Sequence, residues 1–146
     1  MVYDVSELAS QIKGIVLTPG DEGYQNAIDR WASNAERNAA VVAQVTSPQD
    51  VVAAVPTPHQ CSGTNLQLKF AKKASLEVAV SGGKHSASGA SSTEGGLLID
   101  LSKMRKVRVN STNNTIIAQG GCLWIDVDQA AADHGLATGY IVVTVI

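Results

Sequence analysis

Residues 78–101 read V-A-V-S-G-G-K-H-S-A-S-G-A-S-S-T-E-G-G-L-L-I-D-L, and this stretch restricts the fold more than any other. Val78, Ala79 and Val80 form a short β-rich apolar run, and Leu97, Leu98, Ile99 and Leu101 resume a strand. Between the two runs lie glycines at 82, 83 and 89 and serines at 81, 86 and 88. Residues this small let a ligand approach the main chain, and successive N–H groups can turn inward to make a concave anion site. A phosphate fits such a nest, and His85 is the one good nucleophile in the loop. The residues by themselves leave a second reading open, a Gly/Ser-rich turn joining two strands.

The flanks supply the elements that would carry this loop. Residues 6–13 and 24–35 have helical patterns, and Ile15, Val16 and Leu17 form a short apolar segment stopped by Pro19-Gly20. Residues 39–45, rich in Val and Ala, read as a buried strand. Ser47 then caps a helix with Pro48 at its first position, and Asp50 favours the positive end of the dipole. Phe70, Ala71, Lys72, Lys73 and Ala74 complete that helix and return the chain to Val78. The result is a βαβ unit with the loop at the carboxyl end of its second strand, where ligands of open α/β sheets tend to bind. Residues 56–68 interrupt the helix with Pro56, Pro58 and Gly63. An interior proline costs a helix about 3 kcal/mol, so 56–68 read as an inserted surface excursion. Residues 103–109, a turn at 110–114 and 115–119 give a hairpin signal, and Gly120-Gly121 lead to a helix over 125–134 stopped by Gly135.

Charge and composition remove several function classes. A net charge of -2 and a pI near 5.8 leave no electrostatic footprint for nucleic acid. No apolar run approaches the roughly 20 residues of a membrane span. Asp4 and Glu7 fall where a signal peptide has its basic and apolar regions, so no signal peptide is read, and the location is left as cytoplasmic or unknown. Cys61 and Cys122 stand far apart with no C-x-x-C context and read as free thiols. His59 and Cys61 lack further ligands nearby, so no metal site is expected. The sequons at Asn110 and Asn113 read as polar turn residues, and Lys103, Arg105, Lys106 and Arg108 as a solvated strand face. Asp126 and Asp128, two apart on a helix, face different directions and read as surface charges. Tyr24 and Trp31 read as one helix face packed on the domain.

The pattern V-x-G-G-x-H-S-x-x-G, followed by G-L-x-I-D-L-S-K-M, resembles the FAD-binding domain of the vanillyl-alcohol-oxidase/p-cresol-methylhydroxylase (PCMH) family. It is most similar to the family's berberine-bridge-enzyme-like fungal oxidases. V-L-T-P-G-D-E-G-Y with the later R-W is similar to the segment that leads into that domain. The resemblance implies FAD, its pyrophosphate wrapped by Ser81, Gly82, Gly83, Lys84, His85, Ser86 and Gly89. In many members the histidine at the position of His85 is bonded covalently to the flavin 8α-methyl carbon; without that bond His85 reads as a local hydrogen-bonding or turn-capping residue. Lys84 departs from the pattern, standing where many relatives have a third glycine. It would either add a positive charge near a phosphate or reduce loop flexibility.

Past Thr138 the relatives continue with a Gly-rich segment that holds the flavin ring and a substrate domain with the catalytic base. No catalytic residue is therefore assigned within these 146 residues. Residues 139–146 depart from the family, and their apolar, β-prone sequence suits self-association at an exposed edge. The expectation is an α+β chain, with residues 1–35 a helical N-terminal lead-in and 36–146 a partial PCMH-type FAD-binding domain. In that domain a small βαβ subdomain precedes the start of a second α/β subdomain. The implied function is oxidation of an alcohol or similar small molecule by hydride transfer to FAD. The alternative is a non-catalytic FAD- or phosphate-ligand-binding module or a truncated isoform.

Overall fold

The computed structural model describes residues 4–54 and 70–139. The excursion expected at 56–68, with His59 and Cys61, and the tail at 140–146 lie outside the described residues.

One sheet carries β1 (Ile15–Leu17), β2 (Val41–Gln44), β3 (Val78–Ser81) and β4 (Leu97–Asp100) in the order β1-β2-β4-β3. β2, β4 and β3 are parallel, and β1 is antiparallel to β2. β4 is paired on both sides and all four of its residues are buried. That is why Leu97, Leu98 and Ile99 form a continuous apolar run rather than an alternating one. Each contributes roughly 1.5–3 kcal/mol by burial.

Strand alternation sends the side chains to two cores. On one face Val41, Ala43, Leu97 and Ile99 pack with Leu8 of α1 (Ser6–Gln11), Ala54 of α3 (Pro48–Ala54) and Phe70 of α4 (Phe70–Lys73). On the other, Val42, Leu98 and Ala79 pack with Tyr24, Ala27 and Ile28 of α2 (Tyr24–Ile28). The last row of the sheet pairs Gln44 and Ser81 with Asp100, so the carboxyl ends of three parallel strands are polar. The Gln44 Nε2 donates to Asp100 Oδ2 at 2.9 Å, and Ser102 adds its N–H and hydroxyl to the same carboxylate.

Three features differ from the sequence reading. Residues 15–17 form an edge strand of the sheet, so the first 35 residues supply more than helix. The helix read over 24–35 stops at Ile28, and a single 3₁₀ turn follows at Ser33–Ala35. Between them the chain opens so that the Arg30 side chain reaches Ser91 and Ser92, a tertiary contact that overrides the local helical pattern. Trp31, read as packed, is 78% exposed, whereas Tyr24 is buried with its hydroxyl donating to the Ala39 carbonyl at 2.6 Å. The second unit is the hairpin β5 (Val107–Asn110) and β6 (Thr115–Ala118), with α5 (Trp124–Ala132) lying against it. No described helix is long and apolar enough to cross a membrane.

Asp50 does more than complement a helix dipole. Its N–H donates to Ser47 Oγ at 3.3 Å, as in a capping box. Its carboxylate receives the Lys13 N–H at 3.1 Å and the Thr46 N–H and hydroxyl at 2.8 Å each, tying the turn before β1 to the end of β2. Burial alone would raise its pKa, but these hydrogen bonds outweigh it and lower the value from 3.8 to about 2. A folded pKa below the unfolded one means stability that is full above pH 3.8 and is lost as the pH falls toward 2. Asp50→Ala should therefore lower the unfolding free energy in urea by about 2–3 kcal/mol at neutral pH. The gap to wild type should narrow between about pH 4 and pH 2; a gap constant over that range contradicts this account of Asp50.

Candidate cofactor-binding loop

Because β3 and β4 are parallel neighbours, the chain leaving Ser81 must run back along the sheet before it enters Leu97. Residues 82–96 make that return without a helix. The first part, 81–89, therefore sits at the polar carboxyl ends of the parallel strands, where the sequence placed it.

The two consecutive glycines are required by close packing. A Cβ on Gly82 would lie 2.7 Å from the Gly120 carbonyl oxygen, closer than real atoms approach. A Cβ on Gly83 would meet the His85 ring at 2.8 Å (Cδ2) and 3.0 Å (Nε2), and Leu123 Cδ2 at 3.1 Å. The loop thus rests on the turn that opens α5, and the exposed His85 imidazole folds back over bare backbone. That turn is itself fixed. Asp126 accepts two hydrogen bonds from the Arg105 guanidinium and one from the Leu123 N–H at 2.7 Å. The Arg105 bond, with the Leu123 N–H behind it, holds the Asp126 pKa below its ordinary value. Asp126 is therefore a structural link between hairpin and helix, which corrects its reading as a plain surface charge. Arg105 likewise leaves the solvated basic face to make this pair.

Lys84 has φ +63, the left-handed conformation in which glycine is at ease and a side chain costs about 1–2 kcal/mol. This accounts physically for the glycine that the resemblance places there. The Lys84 ammonium donates to the Asn26 carbonyl. Gly89 is also left-handed, at φ +80. Ser86 and Ser88 share a hydroxyl hydrogen bond of 3.1 Å. Ser81 Oγ is fully buried and has no partner among the described residues.

A further residue, overlooked in the sequence, completes the loop's setting. Arg30 is 9% exposed and its side chain spans from the end of α2 to Ser91 and Ser92. Burial lowers its pKa against the opposing fields of Asp100, Glu36 and Asp29. The only sequence signal was the R-W pair after α2, and nothing in a pattern of polarity marks a cation as interior. Among the described residues no group of His, Cys, Asp or Glu is set to hold a metal ion. Cys122 is a free thiol. The groups that are present suit a diphosphate: two bare glycines, short hydroxylic side chains, and a buried serine hydroxyl with its hydrogen-bonding capacity unspent.

Known proteins resemble this chain in both sequence and fold. The FAD-linked oxidoreductase pgmH of Aspergillus terreus is 38% identical over 139 residues, which are 92% of this chain and 25% of that protein. The structure of 6-hydroxy-D-nicotine oxidase from Arthrobacter nicotinovorans superposes with a TM-score of 0.75 at 24% identity, covering 92% of this chain and 26% of that one. Carbohydrate oxidase from Microdochium nivale gives 0.69 at 18% identity, over 88% of this chain and 25% of that one. The two structural likenesses establish the fold alone. The chain spans about a quarter of the length of the curated relatives it matches. Residues 39–145 match the family described as FAD binding domain, so the chain that carries this strand–loop–strand unit belongs to that family, with FAD as its cofactor.

Proposed function

We propose that this chain forms the pyrophosphate-gripping part of an FAD-dependent oxidoreductase acting on an alcohol or similar small molecule. FAD, when bound, supplies the hydride acceptor. Ser81, Gly82, Gly83, Lys84, His85, Ser86 and Gly89 are the residues assigned to hold it, and His85 is the assigned point of covalent attachment. The observation that carries the reading is the pair Gly82 and Gly83 at the polar carboxyl ends of the parallel strands: the 120–123 turn and the His85 ring pack too closely to admit a Cβ, and neither residue carries a side chain that would shield its main-chain N–H from a ligand. Main-chain N–H groups in such a loop bind phosphate oxygens without needing a charged side chain. The imidazole of His85 is exposed and packs beside Gly83 in the same loop, which supports its assignment as the nucleophile.

Gly82→Val and Gly83→Val should each reduce FAD retention about tenfold or more, because the new side chain displaces Gly120 in one case and His85 with Leu123 in the other. Flavin absorbance after gel filtration reads this directly, and equal retention in wild type and both variants would remove the loop from the site. Acid precipitation tests His85 separately. Flavin should remain with the precipitated protein and be released to the supernatant in His85→Ala. Release from the wild-type chain would contradict covalent attachment while leaving cofactor binding intact.

A further inference from the structure

Three backbone carbonyls of the loop point to one short segment. The Trp31 N–H donates to Lys84 O at 3.2 Å, Asn34 Nδ2 to Ala87 O at 3.4 Å, and Arg30 Nη2 to Ser91 O at 2.9 Å. The reverse contact, Lys84 Nζ to Asn26 O, closes the pair. Arg30 anchors this arrangement from both ends. Its Nη1 donates to the carbonyls of Ala27, Ile28 and Asp29 at 3.2, 2.9 and 2.8 Å, and its Nε to Ser92 Oγ at 2.9 Å. One planar fork thus joins the end of α2 to the far arm of the loop, a task for which its rigid donor geometry is suited and an ammonium is not. All of its acceptors are carbonyl or hydroxyl oxygens.

The consequence follows from the trans peptide unit. A carbonyl of residue i and the N–H of residue i+1 point in opposite directions, and every described peptide is trans. Taking up the carbonyls of Lys84 and Ala87 turns the N–H groups of His85 and Ser88 away from segment 26–34. Neither of those N–H groups has a backbone partner among the described residues. We infer that segment 26–34, anchored by Arg30, is the positioning element of the loop: it fixes the loop's carbonyls on one side so that the His85 and Ser88 N–H groups stand ready for the diphosphate oxygens of FAD. This rests on the proposed function, and it assigns a role to residues that lie before the family match at 39–145. Arg30 is a positioning residue, since it reaches the ligand only through the loop.

The test uses the 146-residue chain, ¹⁵N-labelled, as wild type, Arg30→Met, Arg30→Lys and Asn34→Ala. Without FAD, the amide order parameters of residues 84–92 should fall from about 0.85 to below about 0.6 in both Arg30 variants, while those of Val42 and Ile99 stay unchanged. Asn34 is exposed, so Asn34→Ala keeps the fold and should loosen residues 87–88 alone. With FAD, both Arg30 variants should bind about tenfold more weakly, at unchanged order in the sheet. Order at 84–92 that is unchanged in all variants overturns the inference, as does full rescue of FAD affinity by Arg30→Lys, which would reduce Arg30 to its charge. If Arg30→Met loses the sheet signals as well, Asn34→Ala decides, and its loop staying as rigid as wild type counts against the inference. A wild-type chain that takes up no FAD counts against the proposed function instead, and the ligand-free order parameters then decide this inference alone.

Discussion

The insertion of β4 between β2 and β3 constrains everything else in this structure. It buries four consecutive residues, places Leu97 and Ile99 in one core and Leu98 in the other, and makes β3 and β4 parallel neighbours. A parallel neighbour cannot be reached by a tight turn. The chain must travel back the length of the strand, and here it does so as a bare loop whose first residues lie at the polar ends of three strands. A connection of this kind has no helical hydrogen bonds of its own. Its conformation is set from outside, by segment 26–34 on one side and by the 120–123 turn on the other.

Those two supports solve different problems. The turn before α5 offers a surface close enough that only glycine fits, and the Arg105–Asp126 pair holds that surface in place. Segment 26–34 offers donors for carbonyls that would otherwise compete with a ligand for orientation of the peptide planes. Burying a guanidinium is costly, and at Arg30 carbonyl and hydroxyl acceptors offset that cost while burial lowers its pKa against the fields of Asp100, Glu36 and Asp29. The same economy appears at Asp50, where a buried carboxylate is tolerated because backbone and hydroxyl donors surround it.

Much of this was legible from residue types. Val78, Ala79 and Val80, the glycine–serine run and Leu97, Leu98 and Ile99 announced strand, loop and strand, because small residues and apolar runs have few other uses. Ser47-Pro48 announced α3 for an equally local reason. Contacts set by distant residues were not legible. Residues 15–17 are too short to show a period, and only pairing with β2 makes them a strand. Arg30 and Asp126 look like solvent charges in a one-dimensional pattern, and their partners lie at Ser91, Ser92 and Arg105. Lys84 was visible as a departure from a glycine pattern, but its left-handed φ, the physical content of that departure, needed coordinates.

The central claim is that the backbone of the β3–β4 loop is where FAD is held. Amide chemical-shift mapping during titration of the labelled chain with FAD tests it directly. The account predicts that the largest shifts fall on Gly82, Gly83, His85 and Ser88, with smaller ones at Gly120 and Leu123 behind them. Shifts concentrated instead on the surface hollow between α1 and α3, lined by Gln11, Pro48, Gln49 and Val52, with the loop amides unmoved, would contradict it.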